Sequence, residues 1–394
     1  MRQETMETTT EALDKQRLGQ GVRSSAETIA AYSARVQDTA PVEDTWKRNT
    51  RKVAQYLSDN VPEFRRLSEL RQKGWDNPKG DQYFKQQRRQ ADEGAKETVR
   101  IINLIMGKIA REMQGATGAF SISTNNQDTG PPMILDMCTA PGNYLEYALQ
   151  INPGACAVGF SLPYDKGGHE LIVRTSGAVR ISLLDITLLA ADMGVADSDI
   201  PPDHPHARDF LPARQLRAGR AFDLAICDGQ VLRNHEPHRA AYREAREARR
   251  LTLTQLALGL EHLRPGGTMV VLLHKLEAWD TVLLLRAFAG FSAVRLFKPR
   301  SGHAKRSSFY MVARDVRSDQ AEATAAVEAW KEQWRAATFE TDEQRWRECR
   351  EHFQDAVLDV DAFLREFGPE LARMGREVWA VQGDALAKAP FIRK

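Results

Sequence analysis

The chain has 394 residues, of which 42% are apolar and 27% charged, and a formal net charge of +2. That length exceeds one typical domain. No apolar run approaches the roughly 20 residues of a membrane helix, and so small a net charge singles out no class of partner.

Residues 1–40, rich in Thr, Gln, Ser and Glu, cannot bury enough surface to fold and read as a disordered tail. They carry neither the apolar core of a signal peptide nor the acid-poor basic face of a transit peptide, which points to the cytoplasm or nucleus. Cys138, Cys156, Cys227 and Cys349 are scattered without C-x-x-C spacing. That pattern suits a reducing compartment and no cysteine-built metal site.

Residues 41–113 read as an N-terminal helical region. TWKRNTRKVAQYLSDNVPEFRRL and AKETVRIINLIMGKIAREM are helical in period, and the second sets Val99, Ile102, Ile105, Met106 and Ile109 on one face. Basic residues from Lys47 to Lys73 are interleaved with acids, as on a solvated helix surface. Residues 114–132 read as a loop.

Seven short apolar runs follow: MILDM, CAVGF, VRISLL, FDLAIC, TMVVLLH, SAVRLF and SSFYMVA. Helices are expected after the first, second, fourth and fifth, the third of these ending at Pro265-Gly266-Gly267. Such interleaving predicts an α/β fold with a parallel, doubly wound, Rossmann-like sheet. KPRSGHAKR leaves no room for a helix, so the last two runs should form a hairpin, giving seven strands with one antiparallel. Residues 114–316 would form this core. Residues 317–394 read as a C-terminal helical extension, with Trp330, Trp334, Trp346, Phe353, Phe363 and Phe367 spaced for docking.

One stretch raises a chemical question. ILDMCTAPGNYLEYAL runs from an apolar strand through a small-residue turn, Thr139-Ala140-Pro141-Gly142-Asn143, straight into a helix. A parallel α/β sheet brings backbone close to a ligand at such a turn.

In order along the chain, LDMCTAPGNYLEYAL, LLDITLLAAD, FDLAICDGQVLR, VVLLHK and FKPRSGHAKRSSFYMVA resemble the motifs of the FtsJ-like ribose 2′-O-methyltransferases. The similarity spans roughly residues 95–315 and looks closest to a fungal branch carrying the same CDGQVLR, LLHK and AKRSSFY stretches. One such motif is weak evidence, but five in order are strong.

The resemblance implies a seven-stranded sheet that binds S-adenosyl-L-methionine (SAM). Asp136 would lie near the charged groups of the cofactor, beside backbone at Ala140, Pro141 and Gly142, with Asn143 and Tyr144 opening a helix whose N–H groups are free. Asp185 would accept from the adenine amino group, and it also suits a helix N-cap through Thr187. Ser161 stands where methyltransferases commonly carry a ribose-binding acid, and Cys138 where the family usually has Gly. Asp228 would be both cofactor neighbour and catalytic residue.

Methyl transfer to a ribose hydroxyl requires removal of a proton from a poor nucleophile, and the resemblance assigns that task to Lys275, held by Asp228. Of the family's Lys-Asp-Lys-Glu set, the first Lys falls on Lys108, ahead of Lys96, and Ser308 occupies the Glu position. Arg300, His303, Lys305 and Arg306 supply four potential cations in the last hairpin loop, suited to phosphate contacts on RNA. They equally suit a solvated loop, or one that shields a small acidic substrate. His235 reads as a loop residue.

Three functions are open to this sequence. The first is 2′-O-methylation of RNA. The second is O-methylation of a small metabolite, for which the absent Glu and absent ribose acid speak. The third is a non-catalytic SAM-fold module that binds RNA or protein.

Overall fold

The computed structural model describes residues 45–79, 82, 96–123, 130–231, 246–343, 345–346, 349 and 359–392, with backbone alone at 96–99. The expected tail, His235, Phe353 and the Lys96 and Val99 side chains lie outside these residues. Three helices precede the sheet: α1 (Thr45–Asn60), α2 (Pro62–Trp75) and α3 (Lys96–Thr117). Pro62 opens α2, and Val61 before it is extended at φ −127°, which separates α1 from α2. The residue before a proline is pushed out of the helical region, whereas proline itself is tolerated in a first turn.

The seven runs form seven strands: β1 (Met133–Asp136), β2 (Cys156–Ser161), β3 (Val179–Leu183), β4 (Phe222–Cys227), β5 (Leu263–His274), β6 (Ala293–Phe297) and β7 (Ser308–Val316). They lie in the order β3-β2-β1-β4-β5-β7-β6, with β7 antiparallel to both its neighbours and the other pairings parallel. Helices α4 (Asn143–Ile151), α5 (Glu247–Glu261) and α6 (Trp279–Phe291) follow β1, β4 and β5.

Two expectations are corrected. No α-helix follows β2. A 3-10 turn at Tyr164–Lys166 leads instead to a fold-back in which the Gly168 N–H donates to the Pro163 carbonyl at 2.9 Å. A Cβ at Gly168 would sit 1.9 Å from the Leu162 carbonyl oxygen, so the chain turns there on glycine. Pro265-Gly266-Gly267 is not the helix stop, because α5 ends at Glu261 and β5 has begun by Leu263. The prolyl segment is absorbed by a register shift between Phe222 and Leu224 on β4.

Successive strand residues point to opposite faces. Ile134, Leu224, Ile226, Val270 and Val312 pack with Ile105, Ile109 and Met113 of α3 and Leu145 and Ala148 of α4. Leu135, Ala225, Met269 and Val271 belong to the larger core on the other face, which takes in α1, α2, α5, α6, α7 (Ala321–Phe339) and α8 (Val360–Ala387). Within that core Phe288 of α6 stacks on Trp330 of α7 at 5.9 Å, and Trp279 meets Phe363 of α8 edge-on at 5.1 Å. Phe64 of α2 meets Trp379 of α8 at 5.3 Å. Helices from before and after the sheet in sequence therefore pack on one another.

Candidate active site

The carboxyl ends of β1, β4 and β5 carry Asp136, Asp228 and Lys275. In parallel pairing Asp136 is level with Gly159 of β2 and Ile226 of β4, and Cys227 is level with Val271 of β5. Three polar side chains follow from three adjacent apolar strands, at the edge where open α/β sheets hold ligands. Asp136 is 1% exposed, and Asp228 keeps partial solvent access.

The two carboxylates repel one another. Burial, then the charge of Asp228, pushes the Asp136 carboxyl well above the usual range, offset in part by the Cys138 N–H that donates to Oδ1 at 3.3 Å. Burial pushes Asp228 up to about 7. Burial first, then these carboxylates, also raises the Cys138 thiol, which stays protonated. Cys138 is thus a packed thiol, its Sγ lying 2.2 Å from where a Cβ on Gly229 would stand.

The turn after β1 is stitched to its neighbours. Thr139 N–H donates to the Phe160 carbonyl at 2.7 Å, and the Ile172 N–H to the Pro141 carbonyl at 2.9 Å. The Ala140–Pro141 peptide is cis. Gly142 adopts φ +105°, and a Cβ there would lie 2.5 Å from Val173 Cγ2. A left-handed residue beside so close a neighbour has to be glycine. Gly142 leads into α4 without a side-chain cap, so the first helical N–H groups are left for a ligand. Asn143 turns its Nδ2 to the Asn103 carbonyl on α3 at 3.2 Å. The Tyr144 hydroxyl meets that of Tyr310 on β7 at 2.6 Å, a buried pair that feels the charge of Asp228.

Asp185 receives Thr187 N–H at 2.9 Å and Thr187 Oγ1–H at 2.8 Å, both on Oδ1, and caps the 3-10 turn Ile186–Leu188. No described hydrogen bond uses Oδ2. Ser161 is buried at the end of β2. The Ser308 position pairs with His274 across β5 and β7, one residue from Lys275. Its hydroxyl is buried without a partner. Lys108 is exposed on α3, and among the described residues no hydrogen bond or ion pair joins it to Asp228 or Lys275.

The loop cations need correction. His303 is 7% exposed, and burial, then Arg306, Lys298 and His274, hold its imidazole well below the usual range, so it is neutral. Arg306 is 4% exposed. Only Arg300 and Lys305 remain as accessible cations, because the loop folds around Lys298, whose ammonium donates to the carbonyls of His303 at 2.7 Å, Ser308 at 2.6 Å and Arg306. Glu112 of α3 holds the same loop through the Arg300 N–H at 2.9 Å and the Ser301 hydroxyl.

Sequence reasoning gave no role to Lys298 or to Gln255. Gln255 is 3% exposed on α5 and grips the residue after Asp228 from both sides, accepting the Gly229 N–H at 2.8 Å and donating to the Gly229 carbonyl at 3.1 Å. The signal was a single amide inside the apolar run LTLTQLALGL, since a buried amide requires partners.

Two buried, mutually repelling carboxylates form a site that a cation relieves, and SAM carries both a sulfonium and an ammonium group. A sheet in this strand order, with carboxylates at the ends of β1 and β4 beside a glycine turn, defines a SAM-dependent methyltransferase. The FtsJ-like methyltransferase profile matches residues 112–316, just over half the chain, and the chain belongs to that family. The match is to the family as a whole and does not resolve a fungal branch. Over 183 residues the sequence is 25% identical to a cap-specific mRNA (nucleoside-2′-O-)-methyltransferase of Autographa californica nuclear polyhedrosis virus, covering 45% of this chain and 62% of the viral one. The chain thus spans less than two thirds of that relative. Among solved structures, an O-methyltransferase family protein from Burkholderia thailandensis aligns at 13% identity and TM-score 0.29, over 68% of this chain and 71% of the other. Human methyltransferase-like protein 13, solved with SAH, aligns at 12% identity and TM-score 0.30, over 66% and 96%. At these values the two structures add nothing to the functional argument.

Proposed function

We propose that this protein transfers the methyl group of SAM to a ribose 2′-hydroxyl of RNA. The observation that supports the proposal is the placement of Asp136, Asp228 and Lys275 at or just past the ends of three adjacent strands within an FtsJ-like fold. Asp136, the 140–142 turn, the α4 start and Asp185 Oδ2 would hold the cofactor, which when bound supplies an electrophilic methyl group. Lys275 takes the proton from the attacking hydroxyl, and Asp228 balances the charge that results. Arg300 and Lys305 hold phosphates and position the strand without reading its sequence. On this reading the protein works in the cytoplasm or nucleus.

The test is transfer of tritium from methyl-labelled SAM into total RNA and into small-molecule extract, run side by side. Label should enter RNA with wild type and fall at least 100-fold with Lys275→Ala, which should still bind SAM, whereas Asp136→Ala should lose SAM binding. Undiminished transfer by Lys275→Ala would remove the base assignment. Ser308 in place of the family's Glu favours a second reading, O-methylation of a small metabolite, and label confined to the extract would establish it. The absence of SAM binding at any concentration would leave a non-catalytic binding module.

A further inference from the structure

Lys275 is one of three non-glycine residues with positive φ among those described, at +51°. Left-handed backbone is costly for a side chain with a Cβ and persists only where the surroundings enforce it. The turn that Lys275 opens is closed by two main-chain bonds: its own N–H donates to the Ser307 carbonyl at 3.1 Å, and its carbonyl receives the Ala278 N–H at 2.8 Å. What holds this turn in place comes from α1, α2 and α8.

Thr50 of α1 accepts the Trp279 N–H at 3.1 Å. Arg71 of α2 donates through Nη1 to Glu277 Oε1 at 2.7 Å, with the two side chains 15% and 14% exposed. The other guanidinium nitrogen, Nη2, donates to Gln382 Oε1 of α8 at 3.0 Å. Gln382 in turn donates to the Lys305 carbonyl at 3.2 Å. One planar guanidinium thus links the turn of Lys275 to the loop of Lys305, and a lysine, with its single nitrogen, cannot copy that fork.

We propose that Arg71 is a positioning residue for the methyl-transfer site: through Glu277 and Gln382 it fixes the Lys275 turn and the hairpin loop relative to each other. The helical extensions are then part of the active site, not a separate module. The proposal rests on the assignment of Lys275 as base. It goes beyond that assignment because it gives a role to Arg71, more than 200 positions from Lys275 in sequence.

The experiment compares full-length wild type with Arg71→Met, Arg71→Lys and the isosteric Glu277→Gln by amide hydrogen exchange and by methyl-transfer kinetics. Exchange at Lys275, Ala278 and Trp279 should quicken at least tenfold in Arg71→Met while β4 and β5 stay protected. Its kcat should fall at least tenfold with SAM affinity within twofold, and Arg71→Lys should fall in between. If Arg71→Met fails to fold, Glu277→Gln is read in the same way. Unchanged exchange in the turn, or faster exchange with kcat within twofold of wild type, would overturn the proposal. A wild type that methylates no RNA would instead count against the function proposed above, and the exchange comparison would still decide whether Arg71 holds the turn.

Discussion

Asp228→Asn should change how stability responds to pH, and the direction follows from burial. The carboxyl is raised from 3.8 to about 7, chiefly by desolvation. A folded chain that keeps a proton the unfolded chain has already released loses stability as pH rises between those two values, and the loss levels off above the higher one. About three pH units at roughly 1.4 kcal/mol each give an upper bound of about 4 kcal/mol, and the partial solvent access of Asp228 brings the expectation nearer about 2 kcal/mol. Unfolding entropy near 2.1 cal/mol/K per residue converts this to about 2 °C for a chain of this length. Differential scanning fluorimetry from about pH 4 to about pH 8 should therefore show wild type losing about 2 °C relative to Asp228→Asn. SAM should reverse that loss, since a cation favours the ionised pair, and its affinity for wild type should rise across the same interval. Parallel curves for the two proteins, with and without SAM, would refute the electrostatic account of the site.

Gly229→Ala places a Cβ 2.2 Å from Cys138 Sγ and 2.9 Å from Gln255 Oε1. It should cost about 2 kcal/mol in urea unfolding, and Cys138→Gly should recover much of that. Lys298→Met leaves three carbonyls without their ammonium donor, so the urea midpoint should fall by an amount equivalent to about 3 kcal/mol. A chain ending at residue 319 uncovers the apolar surface under Trp330, Trp334 and Phe363 and removes Thr338 from Arg250. It should be insoluble on size-exclusion chromatography, and a monodisperse product would show that the sheet closes without the extension.

The strands were legible because each is a short apolar run bounded by turn residues, and the hairpin because KPRSGHAKR cannot hold a helix. The fold-back after β2 was not legible. LPYDKGGHELIV has enough apolar residues for a helical face, and what prevents the helix is the approach of Gly168 to the Leu162 carbonyl, a contact that exists only once the loop has closed. The site divides in the same way. Asp136, Asp228 and Lys275 stand out as charges ending apolar strands, a contrast visible in one dimension. His303, Arg306 and Lys298 look like loop cations, and their burial depends on three carbonyls converging on one ammonium, which no spacing announces.

That loop also bears on the missing acid. A Glu at the Ser308 position would enter a strand whose carbonyl is already taken by Lys298 and whose hydroxyl side chain is sealed from water. A carboxylate is larger and charged, and it would have to be desolvated there. Here the Lys275 turn is bonded instead through the adjacent Ser307 carbonyl, through Thr50 and through Glu277 to Arg71. The support that the resemblance would assign to a Glu on β7 is thus supplied by α1 and α2. On this account Ser308→Glu should not raise kcat, because a carboxylate there would be buried without a donor, whereas cutting the Arg71 link should lower it. A gain of activity in Ser308→Glu, measured alongside Arg71→Met, would reverse that assignment and return the positioning role to the strand.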